Sequence, residues 1–316
     1  MNMLLSIVIP VYNRAELVVR TLDSIAASQY RPLELVIVDD GSEDTSLDVC
    51  RQWAAAHRSE DFTVEVLAEP HHGSNLARNA GLEHTHGDYV FFFDSDDLFC
   101  GDALDDVAEA AEHEEADIFF LPSVLESNGQ ARVRPYQTKP SLCLHILNSM
   151  FSTQSMVFRR EWLENLYGWN EQATVWQDWE LGAIALMYHP RVHWLCQRTY
   201  HRVMLHPESI TGSSFAQTLN GTISTMRSVK DDLLYAPDVT KEECSQCLQA
   251  LYFRAMIMAG KLRLEKHTEG VEAYQKLASE IIPKPSFSLK MFGKLLYHYT
   301  AIGGRGAWRL AYLIIR

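Results

Sequence analysis

The sequence predicts an α/β fold, a largely parallel central sheet lying between helices, followed by an α-helical C-terminal extension. Three observations predict it. Strand-like and helix-like segments alternate through the first half of the chain. The strand-like runs are apolar at consecutive positions, as strands buried on both faces are. Three of them end in polar, acidic or turn-forming residues.

Taken in order, residues 4–10 (LLSIVIP) form a β-branched apolar run that Pro10 stops. Residues 16–28 follow, with Leu17, Thr21, Leu22 and Ile25 at helical spacing. Residues 33–38 (LELVIV) read as a second strand, ending in Asp39, Asp40, Gly41 and Ser42. Residues 46–56 read as a helix and 62–67 (FTVEVL) as a third strand. A short helix at 75–83 is terminated by residues 84–87. Residues 89–93 (YVFFF) are a fully apolar strand running into Asp94, Ser95, Asp96 and Asp97. Residues 101–114 look helical, and 117–121 (DIFFL) form a further buried strand. Ligands of open α/β sheets sit beyond the carboxyl ends of the strands. The chemistry is therefore expected at 11–14, 39–42 and 94–97, gathered on one edge.

After about residue 215 helical periodicity dominates as far as 282, broken once by Pro237. From 283 to 316 there is no acidic residue, while Lys284, Lys290, Lys294, Arg305, Arg309 and Arg316 interleave with Leu289, Phe292, Leu295, Leu296, Tyr299, Trp308 and Tyr312. The expected division is a catalytic domain over 1–213, a helical extension over 214–282 and a basic amphipathic tail over 283–316. No internal repeat is evident.

At 316 residues and 47% hydrophobic, the chain can bury at least one full core. With 28 basic against 41 acidic residues its net charge is −13, the wrong sign for recruiting nucleic acid by bulk field. A small phosphorylated ligand held by a metal ion and a few local donors stays open. Six scattered cysteines suit reduced thiols in a cytosolic protein, and Cys244 with Cys247 forms a CxxC without a second pair. The N-terminal apolar run has the length of one strand and no basic lead, so a signal peptide is not expected. No stretch approaches the roughly 20 apolar residues of a membrane span.

Asp94, Ser95 and Asp96 are the centre of the chemical reading. Two carboxylates one residue apart, on a turn just past a buried strand, can face one divalent cation, and hard oxygen ligands suit Mn²⁺ or Mg²⁺. Short acidic turns also cap helices. Asp39, with Gly41 allowing a tight turn, serves either a base N–H or ribose hydroxyl, or a plain strand-to-helix turn. Arg78 is either a cation near the ligand edge or a surface arginine. Asp178 opens a helix between Trp176 and Trp179, whose rings would desolvate a carboxylate and raise its basicity, as a general base toward a hydroxyl requires. His201 and His206 lie in a polar segment; either reaches a diphosphate or metal, or is a surface residue.

Together these pieces resemble family 2 glycosyltransferases of the GT-A fold. They are SIVIPVYNR (6–14), ELVIVDDGSEDTS (34–46), ARNAGL (77–82), GDYVFFFDSDD (87–97) and WQDWEL (176–181), in the family's order and spacing over about the first 210 residues. The resemblance implies an inverting displacement from a nucleotide-diphospho-sugar donor, with UDP the family habit, to a carbohydrate or lipid-linked acceptor. It implies that Pro10, Val11, Tyr12, Asn13 and Asp39 line the base, with Arg78 beside it. Asp94 would lie near ribose and metal, Ser95 would bind the nucleotide sugar, Asp96 with Asp94 would ligate Mn²⁺ or Mg²⁺, and Asp178 would be the base. His206 and Ser209 would fall near the diphosphate. The family commonly has Glu–Asp at the base motif, and this chain has Gln177–Asp178; a transferase fold that binds nucleotide sugar without turnover is the alternative. By resemblance the setting is polysaccharide or glycolipid assembly at the cell envelope. The protein is then expected in the cytoplasm, docked at the inner face of the plasma membrane through 283–316, unless that tail simply packs as a helix with a solvated basic face.

Overall fold

The computed structural model describes residues 3–127, 129–136, 138–139, 141–205 and 215–315. It divides into two compact units that are discontinuous in sequence. The first comprises Met1–Thr138, Phe151–Gln172 and Pro190–His206; the second comprises Lys139–Met150, Ala173–His189 and Pro207–Arg316. The sequential boundaries expected at 213 and 282 do not follow this interleaving.

Alternation opens the chain as β1 (Leu5–Val11), α1 (Val18–Ala26), β2 (Leu33–Asp40), α2 (Ser46–His57), β3 (Phe62–Glu69), α3 (Ser74–Glu83), β4 (Tyr89–Phe92) and α4 (Asp102–Ala111). Three strands follow: β5 (Ile118–Phe120), β6 (Val124–Ser127) and β7 (Gln130–Val133). After them come α5 (Leu142–Leu147), β8 (Met156–Arg159), α6 (Arg160–Glu164), α7 (Gln177–Met187), β9 (Val192–Trp194) and β10 (Arg202–Met204). The remainder is helical: α8 (Leu219–Tyr235), α9 (Lys241–Leu264), α10 (Thr268–Ile281), α11 (Phe287–Ala301) and α12 (Ala307–Ile315).

In the first unit the seven-stranded sheet runs β3-β2-β1-β4-β8-β5-β9, and a small sheet runs β10-β6-β7. Every pairing in the large sheet is parallel except those of β8, which is antiparallel to both β4 and β5. The antiparallel insertion was not expected. Four residues between a 3₁₀ turn and a helix carry too little pattern to betray a strand.

Strand alternation divides the core between the two faces. Leu5, Ile7, Ile9 and Val11 of β1 cluster with Val18, Leu22 and Ile25 of α1, Cys50 and Trp53 of α2, and Leu104 and Val107 of α4. On the opposite face Val8 and Val38 meet Gly81 of α3. A Cβ at Gly81 would stand 2.4 Å from a Val8 methyl, and a β-branched side chain has no rotamer into which to retreat. The register pairs Val11 with Asp39, and Asp39 with Ala68, so the carboxyl ends of β1, β2 and β3 finish level.

In the second unit α9 is the spine. Leu251, Phe253, Ala255, Ala259 and Leu262 are fully buried, and α5, α8, α10, α11 and α12 all pack on it. Cys247 lies on this helix, buried, with its sulfur 3.1 Å from that of Cys143 on α5, while Cys244 donates weakly to the Leu233 carbonyl. Among the described residues no helix is long and apolar enough to cross a membrane.

Gly81→Ala should cost about 1–3 kcal/mol by overpacking the α3–sheet contact. Urea denaturation of the two proteins checks this, and equal midpoints would show that α3 shifts freely on the sheet.

Candidate active site

The site is built where β1, β2 and β4 run out. Past β1, Asn13 adopts a left-handed backbone (φ 49). Its side-chain oxygen accepts from the amides of Glu43 (2.8 Å) and Asp44 (3.3 Å), and its own N–H donates to Ser42 Oγ (3.0 Å). The loops after β1 and β2 are thereby stitched together. Pro10 and Val11 are buried in β1, which leaves Tyr12 as the first ring beyond the strand.

Asp39 ends β2 only 2% exposed. Its Oδ2 accepts from Ser42 N–H at 3.0 Å, and its Oδ1 is buried with no hydrogen-bond partner among the described residues. A buried carboxylate oxygen without a donor is costly, so the position is suited to an N–H or O–H brought by a ligand. Asp40, next along, is spent on structure. It accepts from the amides of His72 (2.9 Å) and Gly73 (3.0 Å) and meets His71 Nδ1 at 3.0 Å. Gly41 (φ 68) makes this clamp feasible, because a Cβ there would lie 2.6 Å from the His71 amide nitrogen. So held, His71 stacks on Tyr12 with centroids 4.0 Å apart and planes 17° from parallel.

The acidic turn after β4 is pinned from several sides. Thr21 Oγ1 of α1 donates to the carbonyls of Ser95 (2.9 Å) and Asp97 (2.8 Å), and Ser95 itself is buried. Arg78 is no surface arginine: only 4% exposed, it bonds Asp94 Oδ1 at 2.8 Å and Asn75 Oδ1 at 3.0 Å and lies 4.6 Å over the Trp169 ring. Asp94 Oδ2 accepts from Gln154 Nε2 at 2.6 Å, and the same amide reaches Asp97 Oδ2 at 2.5 Å. Asp97 also accepts from Met204 N–H at 2.7 Å. Burial, then the Asp94 charge and more weakly that of Asp96, push the Asp97 carboxyl up to about 9. Asp96 makes a looser contact, 3.7 Å from Arg14 Nε, which brings the turn beside the loop after β1.

Among the described residues no group of three or more His, Cys, Asp or Glu side chains is arranged as a metal cage. The donors nonetheless fit a hard cation that keeps most of its shell for water and phosphate. Asp94 and Asp96 supply hard carboxylate oxygens one residue apart on the same turn, the donor type that Mn²⁺ and Mg²⁺ take alongside phosphate and water.

Asp178 belongs to the second unit. It sits in the first turn of α7 and its Oδ1 accepts from Trp179 N–H at 2.8 Å. Trp176, left-handed at φ 56, meets Trp179 edge-on at 5.5 Å. Gln177 is occupied with the Ala173 carbonyl at 3.0 Å. His201 is a core residue, not a ligand. Packed against Phe93 and Phe99, it accepts from Cys100 N–H through Nδ1, and burial drives its pKa down to about 3. His206 and Ser209 lie outside the described residues.

Sequence reasoning missed Gln154, the clamp role of Asp40, and His71. Gln154 lies in a featureless STQS stretch, and only the chain's return between β4 and β5 brings it to the acidic turn. Gln154→Leu should destabilise the protein by about 1–3 kcal/mol, because two carboxylate oxygens lose their amide donor. Urea denaturation reads the loss; an unchanged midpoint would make the amide a bystander.

The family described as Glycosyl transferase family 2 matches residues 6–167. Glycosyltransferase GlyA of Streptococcus pneumoniae serotype 4 is 32% identical over 114 residues, which are 36% of this chain and 16% of GlyA. Uncharacterized glycosyltransferase EpsJ of Bacillus subtilis is 25% identical over 174 residues, 51% of this chain and 49% of EpsJ. The chain thus spans at most about half the length of these two curated relatives. Among solved structures, S. aureus TarS 1–349 in complex with UDP-GlcNAc superposes with a TM-score of 0.75 at 19% identity, covering 98% of this chain and 90% of that one. The mannosyltransferase PcManGT of Pyrobaculum calidifontis, in complex with GDP-Man and Mn²⁺, gives 0.59 at 18% identity, covering 100% and 86%. At such identities the likeness establishes the fold, GT-A with additional C-terminal helices.

Proposed function

The chain belongs to glycosyl transferase family 2, and from that premise we propose that it moves a sugar from a UDP-sugar to an acceptor hydroxyl with inversion at the sugar carbon. The observation that carries the reading is the buried, donor-less Asp39 oxygen on the same strand-end edge as the acidic turn of Asp94 and Asp96. A nucleoside brings N–H and O–H groups to the first, and a diphosphate needs charge compensation at the second. That TarS was solved with UDP-GlcNAc supports a UDP donor, and that PcManGT was solved with GDP-Man and Mn²⁺ supports a metal.

In this reading Tyr12 and Asn13 form the wall for the base, with Pro10 and Val11 buried in β1 behind them as its support, and Asp39 accepts from base or ribose. Arg78 acts by holding Asp94, and Ser95 keeps the turn in place. Asp96, and Asp94 with it, would hold Mn²⁺ or Mg²⁺, whose charge stabilises a departing diphosphate. Asp178 takes the proton of the acceptor hydroxyl, a role that rests on the sequence motif and on the aromatic rings about it. His206 remains assigned to the diphosphate by resemblance alone. The acceptor is a carbohydrate or a lipid-linked glycan in polysaccharide or glycolipid assembly.

Asp96→Ala should abolish Mn²⁺-dependent UDP binding in calorimetry, whereas Asp178→Asn should keep that binding and lose at least about 10²-fold in transfer. Transfer retained by Asp178→Asn removes it as the base. UDP binding with no release from any of a panel of nucleotide sugars would instead favour the non-catalytic binding protein.

The proposed membrane contact draws on the tail. Helix α11 packs on α9 through Leu289, Gly293 and Leu296, yet leaves Phe287, Met291 and Leu295, four residues apart along one stripe, 82%, 51% and 56% exposed. Lys290 and Lys294 border the stripe, and Ile302, Leu310 and Leu313 are exposed beyond it. Apolar groups beside snorkelling lysines suit an anionic lipid surface in the cytoplasm. The full chain should float with vesicles containing anionic lipid, and Phe287→Ser with Leu295→Ser should lower the bound fraction at least about tenfold, given roughly 1.5–3 kcal/mol per buried side chain. Equal flotation of both proteins would end this assignment.

A further inference from the structure

The second unit contains a half-buried cation that the proposed chemistry does not use. Arg254 lies near the middle of α9, and its guanidinium stands 4.1 Å over the Trp176 ring and 4.7 Å over the Trp179 ring. These are the two tryptophans that bracket Asp178. Nη1 donates to the Ile146 carbonyl of α5 at 2.8 Å, and Nε is buried with no hydrogen-bond partner among the described residues. Burial lowers the Arg254 pKa to about 10, and the Tyr274 hydroxyl and the Asp178 carboxylate oppose that shift. An arginine that meets two indoles and one carbonyl, and is felt by one carboxylate, spends its charge on organising the start of α7.

The rest of the network fixes the same elements. Trp179 Nε1 donates to the His145 carbonyl at 3.0 Å, and His145 Nε2 contacts the Trp179 carbonyl at 2.8 Å, so α5 and α7 are bonded in both directions. Neighbouring residues of α5, His145 and Ile146, therefore engage Trp179 and Arg254 respectively. Trp176 holds a left-handed backbone (φ 56), a conformation that bulky residues rarely adopt, and the Arg254 guanidinium lies over its ring. One turn pair further along α9, Lys261 lies 4.4 Å over the Phe215 ring, and burial, then Arg254 itself, lowers its pKa to about 8. Two cations on one side of α9 repel each other and are tolerated only where aromatic faces and the Asp178 carboxylate receive them.

We propose that Arg254 is the positioning residue for Asp178: by clasping Trp176 and Trp179 it holds the first turn of α7 in the one geometry in which the carboxylate meets the acceptor hydroxyl. The inference rests on the reading of Asp178 as the base. A planar guanidinium covers two rings and donates to a carbonyl at once; an ammonium cannot. Arg254 therefore acts on turnover, and not on the nucleotide.

Transfer kinetics of the full chain at saturating donor and acceptor test this, alongside UDP affinity and thermal melting. Arg254→Met should lower kcat 10- to 100-fold while the UDP dissociation constant stays within twofold. Arg254→Lys should recover only part of the loss. In Arg254→Ala, millimolar guanidinium should restore turnover without altering UDP affinity. Should Arg254→Met fail to fold, Arg254→Lys and the guanidinium rescue of Arg254→Ala decide. Turnover of Arg254→Lys within twofold of the unaltered protein overturns the proposal, as does a loss of kcat that merely parallels a loss of folded protein. Asp178→Asn separates the two readings: if it still transfers sugar, the base assignment fails first, and if it is inactive while Arg254→Met keeps its kcat, only the positioning role falls.

Discussion

Three carboxylates within four residues cannot share a half-buried turn unless their charge is answered, and the first unit is arranged around that need. Asp94, Asp96 and Asp97 follow the most apolar strand of the sheet, where water is scarce. The answers come from separate parts of the chain: Arg78 from α3, Gln154 from the turn before β8 and the Met204 amide from β10, while Thr21 of α1 holds the turn's backbone. One carboxyl, Asp97, yields instead and holds its proton. Its neighbour Asp96 stands 3.7 Å from the Arg14 guanidinium.

The second unit holds two half-buried cations on one helix. Arg254 and Lys261 sit within α9 and are received by the rings of Trp176, Trp179 and Phe215. Cation–π contact is a solution that keeps the charge while supplying no competing carboxylate of fixed geometry. The same device recurs in the first unit, where Arg78 lies over the Trp169 indole while it bonds Asp94.

Strand ends were legible in the sequence because each apolar run stops at an abrupt change of chemistry. Ile37 and Val38 give way to Asp39, and Phe93 gives way to Asp94, so the edge carrying the candidate site could be found without coordinates. Partners were not legible. Nothing in ARNAGL distinguishes a solvent-facing Arg78 from one folded over Trp169, since the ring arrives from far downstream in the chain. His201 looked polar by its neighbours, but it faces Phe93 and Phe99, residues on a strand end that periodicity could not align with it. β8 escaped because four residues of mixed character, MVFR, are recognisable as a strand only through the two neighbours that they join. The helical half was readable as helical, whereas its recruitment of 139–150 and 173–189 depends on side-chain complementarity that a one-dimensional pattern does not record.

That recruitment has a consequence for how the protein is made. On the ribosome α5 and α7 are synthesised well before α9, yet their apolar faces, Ile146, Leu147 and Trp179 among them, are buried in the unit that α9 organises. The sheet can close early around segments already in hand. Helix α7 can pack on α5 and then on α8, but the face of α5 that α9 covers waits, with its leucines exposed, until that distant helix emerges. Contacts of such long sequence separation are slow to form, so the nascent chain carries its greatest exposure to misassembly in the interval between the birth of α7 and that of α9.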